Sequence, residues 1–152
     1  MNIHIRRVLS EEADALTQIA LSAKRHWGYP DPWLEIWRPQ LTFSPEYFEE
    51  NESWLYVDNE KSIAFYTLQE KNGNAWLENL WVLPEHMGKG VGKRLFLHAT
   101  ELARQRGYKI LRLEADPNAV GFYETMGMHK IGERHSEIKG QPRSLPIMEI
   151  KL

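Results

Sequence analysis

Cysteine is missing from all 152 residues, which excludes disulfides, thiolate metal sites and a cysteine nucleophile and is compatible with a reducing cytoplasm. Long apolar runs are missing too. No stretch approaches the ~18 residues needed to span a bilayer, and the opening MNIHIRRVLSEEADAL alternates and then turns acidic, without the roughly 7–15-residue apolar segment of a secretory signal. Neither sign of charge dominates: 19 Lys and Arg face 21 Asp and Glu, so neither nucleic acid nor an anionic membrane is expected as a partner. His4, His26, His86, His98, His129 and His135 form no i, i+4 pair and meet no clustered acids, so no metal is expected. These absences leave a soluble, cytoplasmic protein as the expectation. A hydrophobic fraction of 42% suits one compact domain over residues 1–152, and no repeat, linker or low-complexity tract divides it.

What is present alternates between strand and helix signals. Ile3 to Val8 has period two, and Ser10 stands where it can cap a helix carrying Ala13, Leu16, Ala20 and Ala23 on one face. The proline-rich stretch from Gly28 to Pro45 predicts short helices and turns, with Ser44-Pro45 opening one of them. SWLYVD, SIAFYTLQE and AWLENLWVL, separated by polar turns, predict an antiparallel meander. A helix follows with Val91, Leu95, Ala99, Leu102 and Ala103 on one face and a stop near Gly107. KILRLEA predicts a strand, DPNAVGFYETMG a short helix with Pro117 in its first turn, and the remainder a hairpin. The order β-α-α-β-β-β-α-β-α-β-β gives an α/β mixture around a mostly antiparallel sheet.

Between the third meander strand and its helix lie Gly88, Gly90 and Gly92. The first N–H groups of a helix lack partners and, with the helix dipole, favour an anion. Glycines keep Cβ atoms out of that space, and Lys93 and Arg94 follow, so the junction predicts a pyrophosphate across Met87 to Gly92 with cations beside it. A bare tight turn needing positive φ is the plainer alternative. The P-loop pattern fails, because Lys93 precedes Arg94 rather than Ser or Thr and Met87 replaces the first glycine. The dinucleotide fingerprint fails at its last glycine, although Glu114 lies about 20 residues on at a strand end, which leaves it a distant rival.

NLWVLPEHMGKGVGKRLF followed by DPNAVGFYETMGM resembles the GNAT superfamily of N-acetyltransferases, with its R/Q-x-x-G-x-G/A motif after a V-x-P strand end and its later segment with F-Y-x-x-x-G-F/M. The resemblance implies a six- to seven-stranded sheet, splayed centrally and flanked by about four helices. It also implies acetyl-CoA as co-substrate. The cofactor would meet Met87, Gly88, Lys89, Gly90, Val91, Gly92 and Lys93 at its pyrophosphate, with Met87, in the Arg or Gln position, contributing mainly its backbone N–H. Leu80 and Val82 would pair their backbones with the pantetheine arm like an added strand. Asn118 would hydrogen-bond near the pantetheine, and Tyr123 would face the sulfur. Taken alone, Asn118 serves equally well as a cap of its short helix.

Acetyl transfer to an amine needs a neutral nucleophile, a polarised carbonyl and a proton for the departing thiolate. An amine of pKa ~10.4 is neutral in only about one molecule in 2,500 at pH 7, so a base is required. Glu78 is the only acid in AWLENLWVL, and period two places it with Trp76, Leu80 and Val82 beside the thioester. A strand-end carboxylate reaching water is the alternative. Tyr123, a phenol of pKa ~10, suits a thiolate leaving group as its acid; its alternative is a core aromatic beside Ala119 and Met126. A backbone N–H near Leu80 would polarise the carbonyl.

For the acceptor, Trp27, Tyr29, Trp33 and Trp37 beside Asp31 and Glu35 suggest an aromatic, acidic pocket for a cationic amine, with core packing as the alternative. Arg143 would instead meet a substrate carboxylate, if it is not a solvated loop residue. The expected activity is acetyl transfer to the amine of a small molecule or an exposed peptide; a non-catalytic CoA-binding sensor is the competing reading. Oligomeric state is open, a homodimer included, because no apolar seam is legible.

Overall fold

The computed structural model describes residues 2–152. Seven strands form one sheet: β1 (Ile3–Arg7), β2 (Glu52–Asp58), β3 (Lys61–Lys71), β4 (Asn74–Val82), β5 (Ile110–Glu114), β6 (His129–Ile138) and β7 (Gln141–Lys151), in the order β1-β2-β3-β4-β5-β7-β6. Every neighbouring pair is antiparallel except β4–β5, which is parallel. The helices are α1 (Ala13–His26), α2 (Asp31–Leu41), α3 (Pro45–Glu50), α4 (Val91–Gln105) and α5 (Val120–Thr125), one more than expected because the proline-rich stretch yields two. Among the described residues no helix is long and apolar enough to cross a membrane.

Local chemistry sets most of the boundaries. Ser44 caps α3 by accepting from the Tyr47 N–H at 3.2 Å, with Pro45 at the first helical position. Gly107, at φ 85°, ends α4. Ser10 does not cap α1. A 3₁₀ turn over Ser10–Glu12 precedes that helix, and the Glu12 carboxylate, held by Arg6 at 2.7 Å, accepts from the Leu9 N–H at 2.8 Å. The longer carboxylate reaches back to a donor that a serine hydroxyl would not.

The sheet carries a core on each face. Val91, Leu95, Phe96, Ala99 and Ala103 of α4 pack on Tyr56, Tyr66, Leu77 and Leu111. On the opposite face Leu16, Ile19 and Ala20 of α1, with Phe43 and Phe48, cover Leu55, Val57 and Phe65. The central pair is unlike the rest. β4 and β5 meet only at Ala75 with Leu111 and Trp76 with Arg112. Beyond that point β4 stays with β3 and β5 stays with β7, so the sheet opens between them.

Candidate active site

A cleft of about 500 Å³ occupies the opening. Its walls are β4 on one side, Asp116 to Tyr123 on the other, the end of α1 at Ala23 and Trp27, and the start of α4.

The β4 wall has free backbone. The Leu83 N–H donates to the Ile63 carbonyl at 3.0 Å, and the register then pairs Phe65 with Trp81 and Ala64 with Val82. Hydrogen-bonded and non-bonded pairs alternate in antiparallel ladders. Bonding at Leu83 and Trp81 therefore turns the N–H and C=O of Leu80 and Val82 away from β3, into the gap that β5 has left. Their side chains pack on the α4 core.

At the start of α4, the Met87 N–H donates to the Pro84 carbonyl at 3.2 Å, and the next backbone donor satisfied is Arg94, on Gly90, at 3.1 Å. Among the described residues, no carbonyl accepts from the N–H groups of Gly88 to Lys93. The free donors thus begin one residue later than expected, and Met87 contributes lining rather than its N–H. The three glycines have two different causes. Gly88 and Gly90 lie at φ 74° and 83°, where a side chain is strained, and a Cβ there would point into open space. Gly92 has an ordinary backbone, and its Cβ would sit 3.4 Å from the Phe122 ring, so it allows α4 and α5 to approach. Arg94 is drawn to the Tyr56 hydroxyl at 3.1 Å, leaving Lys89 and Lys93 exposed at the junction.

Glu78 sits at a β-bulge: Thr67 pairs with Asn79 but Leu68 with Leu77, so Glu78 has no partner on β3. The extra residue reverses the alternation. Leu77 shares the α4 face with Leu80 and Val82, whereas Asn79 turns the other way, donating to the hydroxyls of Thr67 and Tyr47 at 3.0 Å each. Trp76, opposite Gln69, is therefore not on the face of Leu80 and Val82, contrary to the period-two expectation. Glu78 goes with Trp76: it pairs with Lys71, whose ammonium lies 5.1 Å from the Trp76 ring centre. It still lines the cleft, reaching it from the α1–α3 face.

Tyr123 lies between Phe96 and Phe122, only 8% exposed, on the α5 wall of the same cleft. Burial, aided by the Asp116 charge, pushes its phenol well above the ordinary range. None of the side-chain hydrogen bonds among the described residues uses its hydroxyl.

The remaining wall is built on Asp116. Its carboxylate accepts from Lys24 Nζ at 2.6 Å, from the Tyr29 hydroxyl at 2.9 Å, and from both the backbone N–H (2.9 Å) and Nδ2 (3.0 Å) of Asn118. Asp116 is thus the cap of this short helix, which was the alternative reading of Asn118, while Asn118 donates to Tyr29 as well, at 3.0 Å. Burial alone would raise the Asp116 carboxyl; the Lys24 ammonium and the other donors outweigh it and hold it low. Burial lowers Lys24, whose single carboxylate partner compensates only in part and which Arg143 repels. The Tyr29 phenol is pushed up to about 12 by burial and then by the Asp116 charge.

Trp37, Tyr29 and Trp33 do cluster, with Tyr29 stacked on Trp33 at 6.0 Å and edge-on to Trp37 at 4.8 Å. The faces expected to receive a cationic amine are already used. Lys24 lies 4.2 Å from the Trp37 ring centre and 4.8 Å from Tyr29, and Arg143 lies 4.8 Å and 5.1 Å from the same two. Glu35 is turned to Arg38. Arg143 is a half-buried residue of β7 rather than a loop residue. Of the four aromatics only Trp27 lines the cleft. Asp116 and Lys24 were missed as site residues, although Lys24 follows buried Ala20 by one helical turn and Asp116 opens the DPN stretch.

A family model for the GNAT acetyltransferases matches residues 13–128. The chain is 30% identical over 147 residues to the peptidyl-lysine N-acetyltransferase YjaB of Salmonella typhimurium, covering 95% of this chain and 96% of that protein. It is 28% identical to the 5-NmdU N-acetyltransferase of Pseudomonas phage PaMx11, covering 86% and 90%. Among solved structures, a GCN5-related N-acetyltransferase from Rhodopseudomonas palustris superposes with a TM-score of 0.85 at 21% identity, covering 100% of this chain and 97% of that one. The PaiA N-acetyltransferase of Thermoplasma acidophilum, in complex with coenzyme A, does so with a TM-score of 0.78 at 24% identity, each chain covered completely. With a splayed sheet, a glycine junction of unbonded N–H groups and these relatives, the chain belongs to the GNAT family of acetyltransferases, whose acyl donor is acetyl-CoA.

Proposed function

We propose that the protein is an N-acetyltransferase that moves the acetyl group of acetyl-CoA to the primary amine of a small molecule or an exposed peptide amine, by direct attack on the thioester. The observation that carries this reading is the single cleft in which the N–H cradle, the unpaired backbone of Leu80 and Val82, and the Tyr123 hydroxyl all meet. Its parts fit the co-substrate. Gly88 and Gly90 leave open space beside donors that have no protein partner, and Lys89 and Lys93 stand next to them for phosphate charge. The edge of β4 offers the alternating donors and acceptors that the pantetheine amides need, and Asn118 lies beyond it on the facing wall.

When bound, the thioester supplies an activated acyl carbon and a thiolate leaving group. Glu78 takes a proton from the acceptor ammonium through water, because its bulge sets it on the far face from Leu80. A backbone N–H at Leu80 donates to the carbonyl oxygen as negative charge develops there. Tyr123 gives its proton to the sulfur as the C–S bond breaks and the N–C bond forms, and the second proton that the new amide nitrogen must shed passes through water to the Tyr123 phenolate.

Thiol release from acetyl-CoA with a panel of amines tests the activity; binding without release from any amine would make the protein a CoA-binding sensor instead. Gly90→Val is expected to remove most of the rise in Tm that CoA causes, a rise worth about 2.7 kcal/mol at a hundredfold excess over Kd. A branched side chain at φ 83° both strains the turn and enters the anion's space. A folded variant that responds normally to CoA would place the cradle elsewhere. Glu78→Gln should lower turnover about 10²-fold near pH 7 and progressively less as the pH rises toward the amine's pKa, since a neutral amine needs no base. An equal loss at every pH would make Glu78 a positioning residue.

A further inference from the structure

The aromatic cluster on the acceptor side carries two cations and one carboxylate. Lys24 and Asp116 satisfy each other at 2.6 Å and are nearly buried, at 12% and 11% exposure. Arg143 has no carboxylate partner among the described residues. Its guanidinium lies against Tyr29 and Trp37, and Nη2 donates to the Tyr29 hydroxyl at 3.1 Å. That is its one side-chain hydrogen bond among the described residues, and its other N–H groups are left unused. A guanidinium held against aromatic rings with donors to spare is suited to a planar anion such as a carboxylate, which it binds through two parallel hydrogen bonds. A cationic acceptor, by contrast, would find both rings taken and two like charges beside them.

The same hydroxyl links Arg143 to the cleft. Tyr29 accepts from Asn118 and donates to Asp116, and both of those residues line the cleft that holds Tyr123. Resting on the transferase reading above, we propose that the acceptor is a primary amine that also carries a carboxylate, and that Arg143 selects it by binding that carboxylate while the amine faces Glu78 and the thioester. The cluster from α1, α2 and β7 is then a specificity element rather than packing alone.

The test compares amines that differ only in the carboxylate: phenylalanine with phenethylamine, tryptophan with tryptamine, ornithine with putrescine. Wild-type kcat/KM should favour the carboxylate-bearing member of a pair by at least about tenfold, chiefly through KM, as expected for a charge-assisted hydrogen bond. Arg143→Gln should erase that preference, and Arg143→Lys should restore part of it. The rise in Tm with CoA alone reports that each variant is folded. A second arm needs no turnover: with CoA saturating, the amino acid should raise Tm further than its decarboxylated partner in the wild type and not in Arg143→Gln. A preference for the decarboxylated amines, equal Tm shifts within every pair, or a preference that survives Arg143→Gln overturns the assignment. Absence of thiol release across the whole panel sinks the transferase reading by itself, and the Tm arm still decides for or against Arg143.

Discussion

Tyr123→Phe is expected to lower turnover at saturating acetyl-CoA by roughly 10²–10³-fold, about 3–4 kcal/mol of barrier, the lower half of what a positioned general acid contributes. The change deletes one hydroxyl and keeps a ring that packs against Phe96 and Phe122. No protein group loses a hydrogen bond by it, so stability and CoA affinity should be nearly unchanged. The thiolate can leave unprotonated at some cost, which is why the upper half of the range is not expected. Burial holds the phenol above its ordinary pKa, so it stays protonated throughout the neutral and mildly alkaline range. The ratio of wild-type to variant turnover should therefore be flat from about pH 6 to pH 9, unlike the Glu78→Gln ratio, which falls with pH. Near-wild-type turnover would make Tyr123 a packing residue, and a loss confined to the cofactor's Kd would make it a binding residue.

The contrast between these two residues shows what a sequence can reveal about a site of this kind. Tyr123 and the glycines belong to short segments whose local conformation is set by a strand end, a helix start and a turn. The requirement for positive φ at Gly88 and Gly90 is a property of a few consecutive residues. So is the row of unbonded donors that follows, and both were legible. Gly92 has a further reason that was not legible, since it lies in Phe122, thirty positions along the chain. Glu78 was identified, but its face was not. Counting by twos assigns a side only while the register with the neighbouring strand is unbroken, and nothing within AWLENLWVL announces that the pairing passes from Thr67 with Asn79 to Leu68 with Leu77 and skips Glu78.

The aromatic cluster around Tyr29 was the least legible. Its aromatic residues were visible as composition, and an aromatic cluster with nearby acids reads naturally as a cation site. What decides the matter is which charged groups the fold delivers to the rings. Lys24 and Arg143 come from α1 and β7, separated by most of the chain, and both arrive as cations. A cluster that looks acidic in the sequence carries two cations and one carboxylate in the fold. Asp31 and Glu35, close in sequence to the tryptophans, do not appear among its contacts, while Asp116, remote in sequence, is its centre.

Asp116→Ala is expected to destabilise the protein by about 3–5 kcal/mol, the usual cost of stranding one member of a buried ion pair, and Lys24→Met by clearly less. The asymmetry follows from the bonding. Without Lys24, the Asp116 carboxylate keeps Tyr29 and both donors of Asn118. Without Asp116, Lys24 loses its only carboxylate partner and still faces Arg143 across the same two rings, while the turn before α5 loses its cap. The double variant should cost less than the sum of the two, since the residues touch. The pH dependence has a definite sign. The Asp116 carboxyl is lower in the folded protein than in the unfolded chain; its stabilisation is present above the unfolded pKa of about 3.9 and is lost as the pH falls through the folded value. Urea unfolding should therefore show the gap between wild type and Asp116→Ala constant near neutrality and narrowing below about pH 4. Equal costs for the two single variants, or a gap that does not narrow in acid, would mean that the cluster is held by its aromatic packing and that the Lys24–Asp116 pair adds little.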